Sequence, residues 1–89
     1  MPEAEAEIIN RLGLHARASA KLTQLAASFD AEVELEANDR RVNAKSIMGI
    51  MMLAAAQGSQ LTIHTSGAEA EAALAAVLAL IADRFGEEE

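Results

Sequence analysis

In the segment Ala31-Glu32-Val33-Glu34-Leu35-Glu36-Ala37-Asn38-Asp39-Arg40-Arg41-Val42-Asn43-Ala44, apolar residues hold every second position as far as Ala37 and glutamates hold the positions between. Side chains alternate across a strand, so Ala31, Val33, Leu35 and Ala37 face one side and Glu32, Glu34 and Glu36 the other. Asn38-Asp39 is a tight-turn pair. Arg40 to Ala44 then reads as a short antiparallel return strand whose arginines face glutamates across the ladder. A hairpin with one charged face belongs to a sheet that is covered on one side only.

Working outward, residues 3–9 repeat the pattern, with Glu3, Glu5 and Glu7 set against Ala4, Ala6 and Ile8. Asn10 to His15 is a loop with a flexible Gly13. From Ala16 the spacing becomes helical. Leu22, Leu25, Ala26 and Phe29 share a stripe, Arg17, Lys21, Gln24 and Ser28 oppose it, and the helix should end near Ser28. Ser46 is a candidate N-cap for a short helix to Leu53. Ala54 to Ser59 connects it, with Gly58 as breaker, to a fourth strand over Gln60 to Thr65. Ser66-Gly67-Ala68-Glu69 matches a capping box for the last helix, with a start one to three residues later as the alternative. Leu74, Val77, Leu78, Ile81 and Phe85 supply that helix's apolar face, Gly86 its stop, and Glu87 to Glu89 a frayed tail. The order is β-α-β-β-α-β-α, an α+β domain spanning residues 1–89.

Composition narrows the function. Half of the 89 residues are apolar, yet only Phe29 and Phe85 are aromatic, so the core is aliphatic. There is no cysteine, hence no disulfide or thiolate metal site, which fits a reducing cytoplasm. The net charge of −7 works against nucleic-acid binding. No apolar run reaches membrane-spanning length, and the acidic start is unlike a targeting peptide. Six of the seven basic residues lie in the first half, a distribution that steers one anion to one place.

Gly13-Leu14-His15-Ala16-Arg17-Ala18 offers that place. A histidine at the mouth of a helix meets unpaired backbone N–H groups and the positive end of the helix dipole. Neutral imidazole is nucleophilic near neutral pH and accepts a phosphoryl group on nitrogen. Transfer then needs mainly positioning and neutralisation, which Arg17 and the amides of Ala16, Arg17 and Ala18 would supply. The residues alone leave the ring nitrogen open. On spacing alone an ordinary loop histidine beside a solvated arginine is the simpler reading, because G-x-H-x-R is short. Metal binding is disfavoured: only His64 could join His15, and neither has an acidic pair at ligand spacing.

Two motifs change that balance. Gly13-Leu14-His15-Ala16-Arg17 closely resembles the active-site signature of the HPr family, the histidine phosphocarriers of the bacterial phosphoenolpyruvate-dependent phosphotransferase system. Val42-Asn43-Ala44-Lys45-Ser46-Ile47-Met48-Gly49-Ile50-Met51 resembles the family's second, regulatory signature at matching separation. The resemblance implies an open-faced β-sandwich of four antiparallel strands backed by three helices. It implies that His15 takes phosphoryl on Nδ1 from phosphorylated enzyme I and passes it to a IIA-type domain, with Arg17 as phosphate partner. It makes Ser46 the target of HPr kinase/phosphorylase where that enzyme exists, and Ile47, Met48 and Met51 exposed docking contacts. The short helix is apolar nearly all round from Ile47 to Leu53, Met52 included, and a helix on one side of a sheet buries one stripe, to which Ile50 and Leu53 are assigned. No cofactor, a monomer and no turnover of its own are expected. A nitrogen-related paralogue in a regulatory relay shares these features and is the alternative. Ala18 replaces the family's usual proline, so a slightly less rigid loop is expected, and Ala54 stands where many relatives have glycine.

Other classes fit less well. An acyl carrier protein would be all-helical with an acidic residue before its modified serine, whereas Lys45 precedes Ser46 here. A histidine phosphatase or mutase needs further acid–base groups and a cleft that this length hardly accommodates. An unphosphorylated scaffold would be indifferent to loss of His15.

Overall fold

The computed structural model describes residues 2–89. Its elements are β1 (Glu3–Glu7), α1 (Ala16–Ala27), β2 (Glu32–Ala37), β3 (Arg40–Asn43), α2 (Ile47–Met52), β4 (Gln60–Ser66) and α3 (Ala70–Ala82), followed by a short turn, Arg84–Gly86. The strands form one antiparallel sheet in the order β1-β4-β2-β3. Val33, Leu35, Leu61 and Ile63 are buried on its inner face, and the three helices cover that side. Glu3, Glu5, Glu7, Glu32, Glu34 and Glu36 stand on the open face with Thr62 and His64. The expected α+β open sandwich is therefore observed, for the reason visible in the strands: alternation supplies one apolar face, and one layer of helices suffices to cover it.

Three expectations shift in detail. Arg41 lies opposite Glu36 in the register, yet its side chain pairs diagonally with Glu34 at 2.8 Å. The capping box at Ser66 does not form. Ser66 ends β4, Gly67 turns the chain at φ +111, and Glu69 is the N-cap residue of α3 without a side-chain cap. The Glu69 carboxylate instead accepts from the Asp30 N–H at 2.6 Å, so the would-be box partner is spent on the β2 approach. Phe85, expected on the last helix, is fully buried but lies beyond it, because Arg84, Phe85 and Gly86 all take positive φ and turn the chain back.

A histidine at a helix mouth

His15 is the N-cap residue of α1, in extended conformation, and its side chain makes no capping hydrogen bond. The first helical bond runs from the Ser19 N–H to the His15 carbonyl, so the amides of Ala16, Arg17 and Ala18 begin the helix as donors without helical acceptors. The loop that delivers His15 is built tightly. The Gly13 N–H donates to the Asn10 carbonyl at 3.2 Å, the buried Asn10 Nδ2 donates back to the Gly13 carbonyl at 2.9 Å, and the Leu14 N–H donates to the Ala55 carbonyl at 2.9 Å. Gly13 has φ +65, and a Cβ there would come within 2.5 Å of the Ala55 carbonyl oxygen and 2.9 Å of Ala56 Cα. Leu14 and Ala18 turn inward to the core, which leaves the imidazole at the rim, partly exposed.

Glu87 and Glu89, expected with Glu88 as a frayed tail, lie against this loop. His15 Nε2 contacts the Glu87 carboxylate oxygen Oε2, and Asn10 Nδ2 donates to the other oxygen, Oε1, at 3.0 Å. Burial pushes the Glu87 carboxyl up, but the hydrogen bonds from Asn10 and His15 and the charges of His15 and Lys21 outweigh it and hold the group below the ordinary value. Lys21 Nζ donates to the Phe85 carbonyl at 2.6 Å, and the Arg11 N–H donates to the Glu89 carbonyl at 2.9 Å. Arg17 is exposed on the first turn of α1 and makes no ion pair among the described residues. Its guanidinium is thus uncommitted at the helix mouth.

The second motif lies on the neighbouring helix. Ser46 is the N-cap residue of α2, and its hydroxyl oxygen accepts from the Gly49 N–H at 3.1 Å. This helix packs against α1, and the connector that follows it supports the Gly13 loop through Ala55. Ile50 and Leu53 are buried as expected, while Met48 is 72% exposed and Ile47 and Met51 are also exposed. Met52 and Leu12, neither of them among the expected docking contacts, join them among the exposed large apolar residues. No hydrogen bond or ion pair links Ser46 to His15 among the described residues. His64 stands apart on the open sheet face, between Glu36 at 2.9 Å and Glu3 at 3.5 Å.

Sequence reasoning missed Asn10 and Glu87. Asn10 reads as a loop residue and Glu87 as a tail residue, and only the reversal at Arg84–Gly86 brings them together. No group of three or more His, Cys, Asp or Glu residues able to hold a metal occurs among the described residues. No helix among them is long and apolar enough to cross a membrane.

Comparison with known proteins agrees with this geometry. A family model described as "PTS HPr component phosphorylation site" matches residues 2–83. The chain is 58% identical over 89 residues to a phosphocarrier protein HPr of Cupriavidus necator, covering all of both chains. It is 41% identical over 85 residues to a phosphocarrier protein NPr of Shewanella violacea, covering 96% of this chain and 93% of that one. The crystal structure of HPr-C-His from Thermoanaerobacter tengcongensis superposes with a TM-score of 0.96 at 43% identity, covering both chains completely. With an open helix mouth, two signatures in place and relatives of this similarity along its whole length, the chain belongs to the HPr family of the phosphotransferase system, a phosphocarrier rather than a catalytic enzyme.

Proposed function

We propose that His15 is the carrier residue: it accepts phosphoryl on Nδ1 from phosphorylated enzyme I and delivers it to a IIA-type domain in the cytoplasm. The observation that carries this is the uncapped start of α1, where His15 leads into free amide donors. A phosphoryl group beside the ring would meet those amides and the positive end of a twelve-residue helix. Arg17, free of other ion pairs among the described residues, closes on the same oxygens. Leu12, Ile47, Met48 and Met51 give partners an apolar, adaptable landing surface.

Ser46 acts in this reading as the regulatory site of HPr kinase/phosphorylase. Its hydroxyl already caps α2, so a phosphate there, adding roughly −1.5 to −2 charges, is tolerated by the helix N-terminus and repels an acidic partner on docking. Inhibition then works through blocked docking. The NPr relative keeps a second reading open, a regulatory nitrogen-linked relay in which His15 has the same chemistry and the recipient differs.

The test is a two-step transfer. The protein is labelled with phosphoenolpyruvate and enzyme I, purified from both, and mixed with IIA domains of the sugar and nitrogen branches. Phosphoryl should leave for one of them, and the faster recipient assigns the branch. An adduct that no IIA domain removes contradicts the carrier reading.

A further inference from the structure

Among the described residues, Glu87 is the group that holds the His15 ring. One carboxylate oxygen meets Nε2, while the other is fixed by the buried Asn10. Nδ1 takes no hydrogen bond from the described protein atoms. This contact is constructed. The chain must reverse through Arg84 and Phe85, both at φ +55, and Gly86 at φ +78 to bring Glu87 over the loop. Left-handed backbone at two residues with side chains persists only where surrounding structure over-determines it. That structure is present: Phe85 is fully buried, Lys21 Nζ holds its carbonyl, and Arg11 binds Glu89 through its N–H and, at 3.4 Å, through its guanidinium.

We propose that Glu87 is a positioning residue for His15, fixing the ring proton on Nε2, leaving the Nδ1 lone pair as nucleophile and facing the positive charge the ring gains on phosphorylation. The inference rests on the reading of His15 as the carrier residue, and Glu87 lies outside the residues 2–83 that match the family. During acceptance the Nδ1 pair forms the new N–P bond while the donor's bond to phosphorus breaks and its electron pair returns to the donor. The proton stays on Nε2, so the ring becomes a cation next to a fixed anion. On delivery the N–P electron pair returns to Nδ1 and the ring is neutral again. A carboxylate behind an imidazole serves both directions, because it orients the tautomer and stabilises the charged ring. The held-down Glu87 carboxyl keeps this partner ionised, with Lys21 and Arg11 as the cations around the tail.

The full-length chain with ring-15N-labelled histidine tests this by NMR, at a pH where the imidazole is neutral, beside the rate of acceptance from phosphorylated enzyme I. The parent should show His15 with nitrogen shifts of a protonated Nε2 and a bare Nδ1. Glu87→Ala should move both shifts toward a tautomer mixture and slow acceptance by about tenfold to a hundredfold, the size expected when a hydrogen bond to a charged group is lost. Glu87→Gln, which keeps an acceptor without the charge, should retain the tautomer and recover part of the rate. Unchanged ring shifts and an unchanged or faster rate in Glu87→Ala overturn the proposal, the faster rate marking the tail as an obstruction. If the parent itself takes no phosphoryl, the carrier reading fails instead, and the NMR arm still judges the tautomer.

Discussion

Replacing Gly13 by alanine should do more damage than any other single methyl group added to a glycine of this chain. Gly13 and Gly58 both have positive φ, +65 and +91, so alanine pays for left-handed backbone at either place, about 1–2 kcal/mol, partly offset by reduced freedom of the unfolded chain. Gly58 has nothing within 4 Å of the new Cβ and serves as the control for that backbone cost. At Gly13 the same methyl meets the Ala55 carbonyl oxygen at 2.5 Å and Ala56 Cα at 2.9 Å, both backbone atoms that no rotamer change can move. The loop must lift off the connector, losing the Leu14–Ala55 hydrogen bond, about 1 kcal/mol, and adding overpacking of roughly 1–3 kcal/mol. Gly13→Ala should therefore be less stable than Gly58→Ala by about 2–4 kcal/mol, read from urea unfolding with similar m-values. Because the lifted loop carries His15, phosphoryl acceptance should slow as well. Two variants within about 0.5 kcal/mol of one another would show that the loop does not depend on this close approach.

Ala54, exposed with φ +51, should gain up to about 1 kcal/mol on replacement by glycine, and a loss of thermal stability in Ala54→Gly contradicts the conformation described. Ser46→Ala should cost about 1 kcal/mol through loss of the α2 cap, whereas Ser46→Asp should keep the cap and still take phosphoryl from enzyme I more slowly; equal rates for Ser46→Asp and parent rule out blocked docking. Met48→Glu should leave unfolding within about 0.5 kcal/mol of the parent while raising the concentration of enzyme I needed for half-maximal transfer. Glu87 titrates below its ordinary 4.5 when folded, so its contribution to stability is complete above that pH and is lost as the pH falls through the lower folded value. The stability gap between parent and Glu87→Gln should narrow as the pH is lowered from about 5 to about 3, and a constant gap contradicts the contact.

Local chemistry explains which parts of this structure are visible in one dimension. Alternation over Glu32–Ala37 is a backbone property, and with Asn38-Asp39 behind it the hairpin has no competing solution. Ser46 forms its cap as written because the cap is satisfied three residues away, within its own helix. At Ser66 the same kind of motif fails, since Glu69 finds a better acceptor role with Asp30, 39 residues earlier in the chain. The site divides in the same way. His15 and its helix mouth are local and legible, while the carboxylate on its ring comes from 72 residues away through a left-handed turn held by the buried Phe85 and by contacts from Lys21 and Arg11. Helical periodicity gives no sign of such a reversal, because Phe85 continues the apolar stripe of α3 in sequence and departs from it only in backbone angle.

The central claim is that one residue carries one phosphoryl group. Parent, His15→Ala and Ser46→Ala proteins, incubated with phosphoenolpyruvate and catalytic enzyme I, can be compared by intact mass before and after brief acid treatment. The parent and Ser46→Ala should each gain a single phosphate that acid removes and alkali spares, and His15→Ala should gain none. A phosphate retained in His15→Ala, or none on the parent under conditions that label a known carrier, would contradict the assignment of His15.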